Sequence, residues 1–199
     1  MPLTILQAGE PVLRKRARTL TANEIRSREI QGLIADMKET MYAAPGVGLA
    51  APQIGRNLQL AVIEDRKEYT KDWTAEQLAE RERRAVPFHV IINPKLTPLG
   101  DEQAEFFEGC LSLAGLMALV PRARRVRVEC LDAKGQPQVI EASGWYARIL
   151  QHEIDHLAGA LYCDRMLPRT LMTVENYKLY WMEKSVAEIK KELLAAEKG

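Results

Sequence analysis

Apolar residues Ile30, Leu33, Ile34, Met37 and Met41 fall three and four apart, which places them on one face of a helix, and Pro45 closes the run. Ahead of them, Thr21-Ala22-Asn23-Glu24 has the spacing of a capping box, whose side chains satisfy amides that a first turn leaves open. Together they predict one helix from this box to the proline. Gly46-Val47-Gly48-Leu49-Ala50-Ala51-Pro52-Gln53 reads as a tight loop leading to a strand around 58–63. A second strand is expected over 88–93, ended by Pro94. Val126-Arg127-Val128-Glu129-Cys130 and Gln138-Val139-Ile140-Glu141 alternate in polarity, and Asp132-Ala133-Lys134-Gly135 between them supplies a turn, so the pair reads as a hairpin. Ser143 and Gly159 bracket a further helix as cap and stop. Its apolar residues Trp145, Ile149, Leu150, Ile154 and Leu157 point in more than one direction, which predicts a buried helix. A last helix is expected over 173–196, carrying Val174, Tyr177, Trp181, Val186, Ile189 and Leu193.

Residues 65–85 are dense in both charge signs, and Thr74-Ala75-Glu76-Gln77 repeats the capping signature. Apolar strand-like sequence resumes directly afterwards, so this stretch reads as a charged surface insertion, not a linker. With no repeats, the 199 residues read as a single catalytic domain of α+β class, small antiparallel or mixed sheets around a buried central helix. A formal net charge of +1 argues against general electrostatic binding to nucleic acid or to a membrane. Three irregularly placed cysteines make no disulfide framework, and no signal or membrane-spanning segment is read, so a bacterial cytoplasm is the expected location, with a processed organellar protein as the alternative.

Chemistry concentrates in Gln151-His152-Glu153-Ile154-Asp155-His156-Leu157, which holds two of the three histidines in the chain. Positions i and i+4 share a helix face, so both imidazoles reach one ion, while Glu153 sits near enough to handle the proton of a water. A catalytic metal takes three protein ligands, and two residues compete for the third place. Glu175 lies on the next helix, with a solvated surface acid as its ordinary reading. Cys110 lies upstream between apolar stretches, with a buried packing thiol as its ordinary reading. Spacing alone does not decide between them. His89, in an apolar run, reads as structural; Cys130 and Cys163 read as packing residues. Glu108 and Arg122 are expected to pair, the alternative being two separate surface charges.

The segments Gly46–Gln53, Glu108-Gly109-Cys110-Leu111-Ser112 and Gln151–Leu157 resemble, in order, the three motifs of the peptide deformylase family. Gly9-Glu10-Pro11-Val12-Leu13-Arg14 is similar to the same family's N-terminal region. The resemblance implies removal of the formyl group from the N-terminal formylmethionine of nascent chains, with formylmethionyl peptides as partners and a transient ribosome association. It selects Cys110 over Glu175, giving Cys110, His152 and His156 as ligands of one divalent metal. Ferrous iron is the implied active form, with zinc, nickel or cobalt as other occupants. It implies a metal-bound water as nucleophile, Glu153 as general base and acid, and the amides of Gln53 and Leu111 as oxyanion donors, with Gly48 beside them. Gly46, Val47, Gly109, Trp145 and Ile149 would line the substrate site. Ala114, Met117 and Trp145 depart from the common bacterial pattern, while Ser143-Gly144-Trp145 and Leu119-Val120-Pro121-Arg122 look more like the mitochondrial-type branch. For Trp145 the competing reading is core packing at the start of a buried helix.

Overall fold

Eight strands and six short-to-medium helices build the protein in a computed structural model that describes residues 2–194. In chain order these are α1 (Ala22–Ile25), α2 (Arg28–Ala43), β1 (Gly48–Ala50), β2 (Leu60–Asp65), α3 (Ala75–Glu80), β3 (Val86–Pro98), β4 (Gln103–Cys110), β5 (Leu113–Ala123), β6 (Arg125–Leu131), β7 (Pro137–Ser143), α4 (Gly144–Ala158), β8 (Met172–Thr173), α5 (Val174–Asn176) and α6 (Val186–Leu194). Strands β1-β2-β3-β6-β7 form one sheet in that order, and β4-β5-β8 form a second. Every pairing between these strands is antiparallel, so the α+β class holds without a mixed sheet.

Around β2 the larger sheet is buried on both faces, which explains the unbroken apolar run there, whereas β6 and β7 alternate buried and exposed positions. Leu60 and Val62 join Leu49 and the α2 residues Leu33, Met37 and Met41 in one core cluster. Ala61 and Ile63, on the opposite face by strand alternation, pack with Ile91, Val126 and the α4 residues Ala147 and Leu150. Helix α4 therefore lies under the large sheet, and it also meets β5 of the small one. That is the buried central helix the apolar pattern predicts.

Several boundaries differ from the sequence expectation. The capping box is present, but Thr21 closes only the four-residue α1; Ser27 opens the long helix separately, its hydroxyl accepting from the Ile30 amide at 3.2 Å. Strand β3 runs past Pro94, because the register shifts between Ile92 and Lys95 and the bulge leaves no partner waiting for the missing amide. Asn93 takes φ +51° there, and its side chain brackets Leu20 through both backbone groups at 2.9 and 2.8 Å. The glycine-rich loop contains β1, paired to β2. Ser143 occupies the cap position of α4 without a side-chain capping bond. Instead the Gly144 and Trp145 amides donate to the carbonyls of Arg124 and Arg81, each at 2.9 Å. The expected last helix is broken: α5 continues into a π turn (Tyr177–Trp181), and α6 starts afresh after Ser185; Ala196 lies outside the described residues. The insertion carries α3 as its capping box predicts, but it is not purely solvated, since Asp65 and Arg83 are buried as a pair.

Candidate active site

Cys110 ends β4 at a bulge, where the register shifts between Gly109 and Cys110, and this turns its thiol toward α4. The ligand atoms of Cys110, His152 and His156 lie within 4.8 Å of one another, the single such histidine, cysteine or acid grouping among the described residues. The Cys110 thiol is 3.3 Å from His156 Nε2. The Ser112 amide points at the same sulfur from 3.4 Å, and the Gln53 side-chain amide from 3.6 Å. Glu175 stands exposed on α5 and takes no part in this grouping.

The donor set fits a divalent transition metal: a softer thiolate with two imidazoles, at convergent positions with one side open to a cleft. His152 Nδ1 is engaged by Glu108 at 3.0 Å, which leaves Nε2 facing inward. Burial disfavours charging His152, but hydrogen bonds with Cys110 and Glu108 outweigh it and raise its pKa well above the ordinary value. Burial pushes His156 well below its ordinary value, which keeps a ring lone pair free.

Glu108 is the hub behind the ligands. Arg122 forks onto both of its oxygens at 2.9 Å, and Arg148 Nη1 donates to Oε1 at 2.6 Å. Burial pushes the Glu108 pKa up, yet the His152 and Arg122 hydrogen bonds and the Arg122 charge win, holding it well below the usual carboxylate range. Arg122 also reaches Asp155, which Arg165 clasps from outside at 2.6 and 2.7 Å. The expected Glu108–Arg122 pairing thus forms, fully buried. Arg148 and Asp155 were missed from sequence; the available signal was an arginine set in the apolar run of α4.

Glu153 faces the cleft from the same helix. Its Oε2 is buried without a hydrogen-bond partner, and burial raises its pKa to about 7. Gly48 is the reason it fits: a Cβ there would stand 2.2 Å from Glu153 Oε1. Glu153 itself therefore constrains this glycine. Gly46 faces Leu111, whose side chain would meet a Cβ at 2.9 Å, whereas Gly109 would accept one in ordinary contact. Gln53 is buried, and its orientation follows from its bonds. Its Oε1 accepts from the Ala50 amide at 2.9 Å, so Nε2 must face Ser112 and Cys110.

A cleft of about 460 Å³ opens over these groups, within the range of small-ligand sites. Its walls include all the sequence-predicted lining residues, Gly46, Val47, Gly109, Trp145 and Ile149, together with Gly48, Gln53 and Leu111. Phe107, Leu116 and Val174 also line it and were not foreseen. Trp145 is only half-buried and both lines the cleft and packs against the core under the sheet, so the two readings of it are not exclusive.

The remaining expectations concern residues away from the cleft. His89 is held at both nitrogens, by the Pro87 carbonyl and the Tyr146 hydroxyl, each at 2.9 Å, as a structural residue would be. Cys130 is buried, but Cys163 is partly exposed beside Arg14, so packing does not describe it. Among the described residues no helix is long and apolar enough to cross a membrane.

Comparison with known proteins agrees with this geometry. The model of the polypeptide deformylase family matches residues 2–171. The chain is 49% identical over 175 residues to the chloroplastic peptide deformylase 1A of Solanum lycopersicum; the match covers 88% of this chain and 63% of that protein, less than two thirds of its length. It is 47% identical over 185 residues to peptide deformylase 1 of Bifidobacterium longum, covering 92% and 82%. Among solved structures, a class I type b peptide deformylase of Acinetobacter baumannii with Met-Ala-Ser bound superposes with TM-score 0.74 at 30% identity, over 83% of this chain and 99% of that one. A match across most of its length, with the ligand cluster at its centre, makes this chain a member of the polypeptide deformylase family.

Proposed function

We propose that this protein hydrolyses the formamide of N-terminal formylmethionine on nascent chains, releasing formate and a free α-amine. The observation that carries the reading is the convergence of Cys110, His152 and His156 beside a buried carboxyl that has an unpartnered oxygen. These three residues would hold one divalent ion, ferrous iron in the active form, with zinc, nickel or cobalt as substitutes. Such an ion, when bound, supplies Lewis acidity to water and to the formyl carbonyl.

The chain's own groups then account for the proton and charge movements. Glu153, raised toward neutrality by burial, accepts a proton from the attacking water and returns it to the departing amine. Gln53 Nε2, fixed by the Ala50 contact, donates to the oxygen that gains charge, and the Leu111 amide is the second donor. Glu108 holds His152 in one tautomer and orientation. Gly46, Val47 and Gly109 border the substrate backbone. Trp145 and Ile149 enclose the methionine side chain, whose burial contributes roughly 1.5–3 kcal/mol. Residues 1–199 act as one catalytic domain. Formylmethionyl chains arise in bacteria and in organelles, and the matched relatives come from both settings; we assign this protein to a bacterial cytoplasm.

The test is anaerobic release of formate from formyl-Met-Ala, with metal content measured on the same sample. Turnover proportional to bound ion supports the reading. Internal cleavage of longer peptides without formate release would overturn it.

A further inference from the structure

The charged insertion closes a ring with the wall of the cleft. Three of its residues, Trp73, Arg81 and Arg83, alternate with Trp145, Arg148 and Phe106 as aromatic and cation. Around the ring, Arg83 lies 4.9 Å from the Trp73 ring centre and 5.0 Å from that of Trp145. Arg148 lies 6.0 Å from Trp145 and 5.3 Å from Phe106. Arg81 lies 5.2 Å from Phe106 and 5.2 Å from Trp73, which completes the circuit. All six separations are within reach of cation–π attraction.

The ring is fixed at two points. Arg83 is 9% exposed and Asp65 2%, joined by a two-pronged ion pair at 2.8 and 2.9 Å. Arg148 is held by Glu108. The start of α4 is fastened to the same insertion: the Trp145 amide donates to the Arg81 carbonyl, and Gly144, at φ +57°, sits where a Cβ would be 2.7 Å from that carbonyl. Trp145 therefore has little freedom in ring or backbone, and on the insertion's side the restraint comes from Trp73, Arg81 and Arg83, none of which lines the cleft.

We infer that the insertion sets the side-chain selectivity of the cleft, with Arg83, locked by Asp65 and backed by Trp73, as the positioning residue for Trp145. This rests on Trp145 lining the methionine pocket as proposed above. A rigid indole rejects branched or aromatic first residues that a mobile one would admit; released from Arg83, it tilts and the pocket widens.

The test compares kcat/KM for formyl-Met-Ala and formyl-Phe-Ala in metal-loaded protein. It also measures calorimetric binding of Met-Ala-Ser to the metal-free protein. Trp73→Leu removes one ring member without stranding a charge. The double replacement Asp65→Asn with Arg83→Met removes the ion pair as a unit, since removing one partner alone would leave the other buried and charged. Each should lower the Met-to-Phe ratio roughly threefold or more and weaken Met-Ala-Ser binding by a similar factor. In a Trp145→Leu background, which lowers the ratio by itself, neither should lower it further. A ratio moved by Trp145→Leu but not by the insertion variants would overturn the inference alone. A ratio that Trp145→Leu leaves unmoved would refute the pocket reading, and the inference with it. A lowered melting temperature with an unmoved ratio counts against the proposal in either variant.

Discussion

Gly48→Ala offers the sharpest test of how Glu153, the proposed general base, is held. The added Cβ would lie 2.2, 2.5 and 2.8 Å from Oε1, Cδ and Cγ of Glu153. Ordinary contact begins at 3.4 Å, so the carboxylate must retreat by 3.4 − 2.2 = 1.2 Å. The atoms in the way belong to a side chain, not to backbone, so the fold should yield there at the usual cost of overpacking, about 1–3 kcal/mol. Catalysis has no such tolerance, because a misplacement of ~1 Å costs about a hundredfold in rate. The ligands come from other residues, so the ion should remain. The expected result is a split: full metal content, a melting temperature lowered by several degrees with the fold intact, and kcat on formyl-Met-Ala lowered about a hundredfold. A metal-loaded variant with near-normal kcat would refute the placement of Glu153 as the proton carrier. A variant that unfolds would show instead that the strand, not the glutamate, gives way.

Other expectations follow from the same geometry. Cys110→Ser should lose most of its bound metal and activity, because an un-ionised hydroxyl is a poor substitute for thiolate, while Glu175→Gln should change neither; metal content that tracks Glu175 would reverse the ligand assignment. Glu153→Ala should keep its ion and lose about a hundredfold or more in turnover, and Gln53→Ala a comparable factor; near-normal rates in either loaded variant would remove that residue from the mechanism. For His89, burial lowers the folded pKa below the ordinary 6.5, the Pro87 hydrogen bond opposing it. The unfolded chain then takes up the proton first, so stability is level above about pH 7 and falls as pH drops through 6.5. His89→Gln should flatten the fall in melting temperature between about pH 7.5 and 5.5, and parallel curves for the two proteins would rule the effect out.

What the sequence discloses is mostly local. The hairpin of β6 and β7, the capping boxes at Thr21 and Thr74 and the glycine that ends α4 each depend on residues a few positions apart, and each is present. The break before α6 was equally local and was overlooked. Ser185-Val186-Ala187-Glu188 is a third capping box, with the Ser185 amide donating to Glu188 at 2.8 Å, and it interrupts what periodicity alone reads as one helix. The hairpin of β4 and β5 was harder to see. Its strands alternate weakly, Gly115 and Pro121 interrupt the second, and its purpose is to carry Cys110 across to a helix far along the chain. Resemblance supplied the cysteine; no pattern in the chain did.

The site divides along the same line. A histidine pair on one helix face is a statement about a single turn, and it is legible wherever that turn is helical. The environment that makes the pair useful is long-range. Glu108 meets Arg122 14 positions away, Arg148 40 away and His152 44 away, three partners that two elements, β5 and α4, bring to one carboxylate on β4. Its burial removes water from the ligand face, and the cost is met only because both oxygens are occupied by cationic or imidazole donors. Replacing one partner of such a buried set leaves an unpaired charge and typically costs about 3–5 kcal/mol, a large share of the roughly 5–15 kcal/mol by which a fold is stable. The same burial leaves Glu153 with no partner and a pKa near neutrality. Two carboxyl groups 45 positions apart in sequence (153 − 108 = 45) thus take opposite roles from opposite surroundings. Glu108 is ionised and fixed by its arginines, and Glu153 is left without them, which is the setting the proposed proton transfer requires.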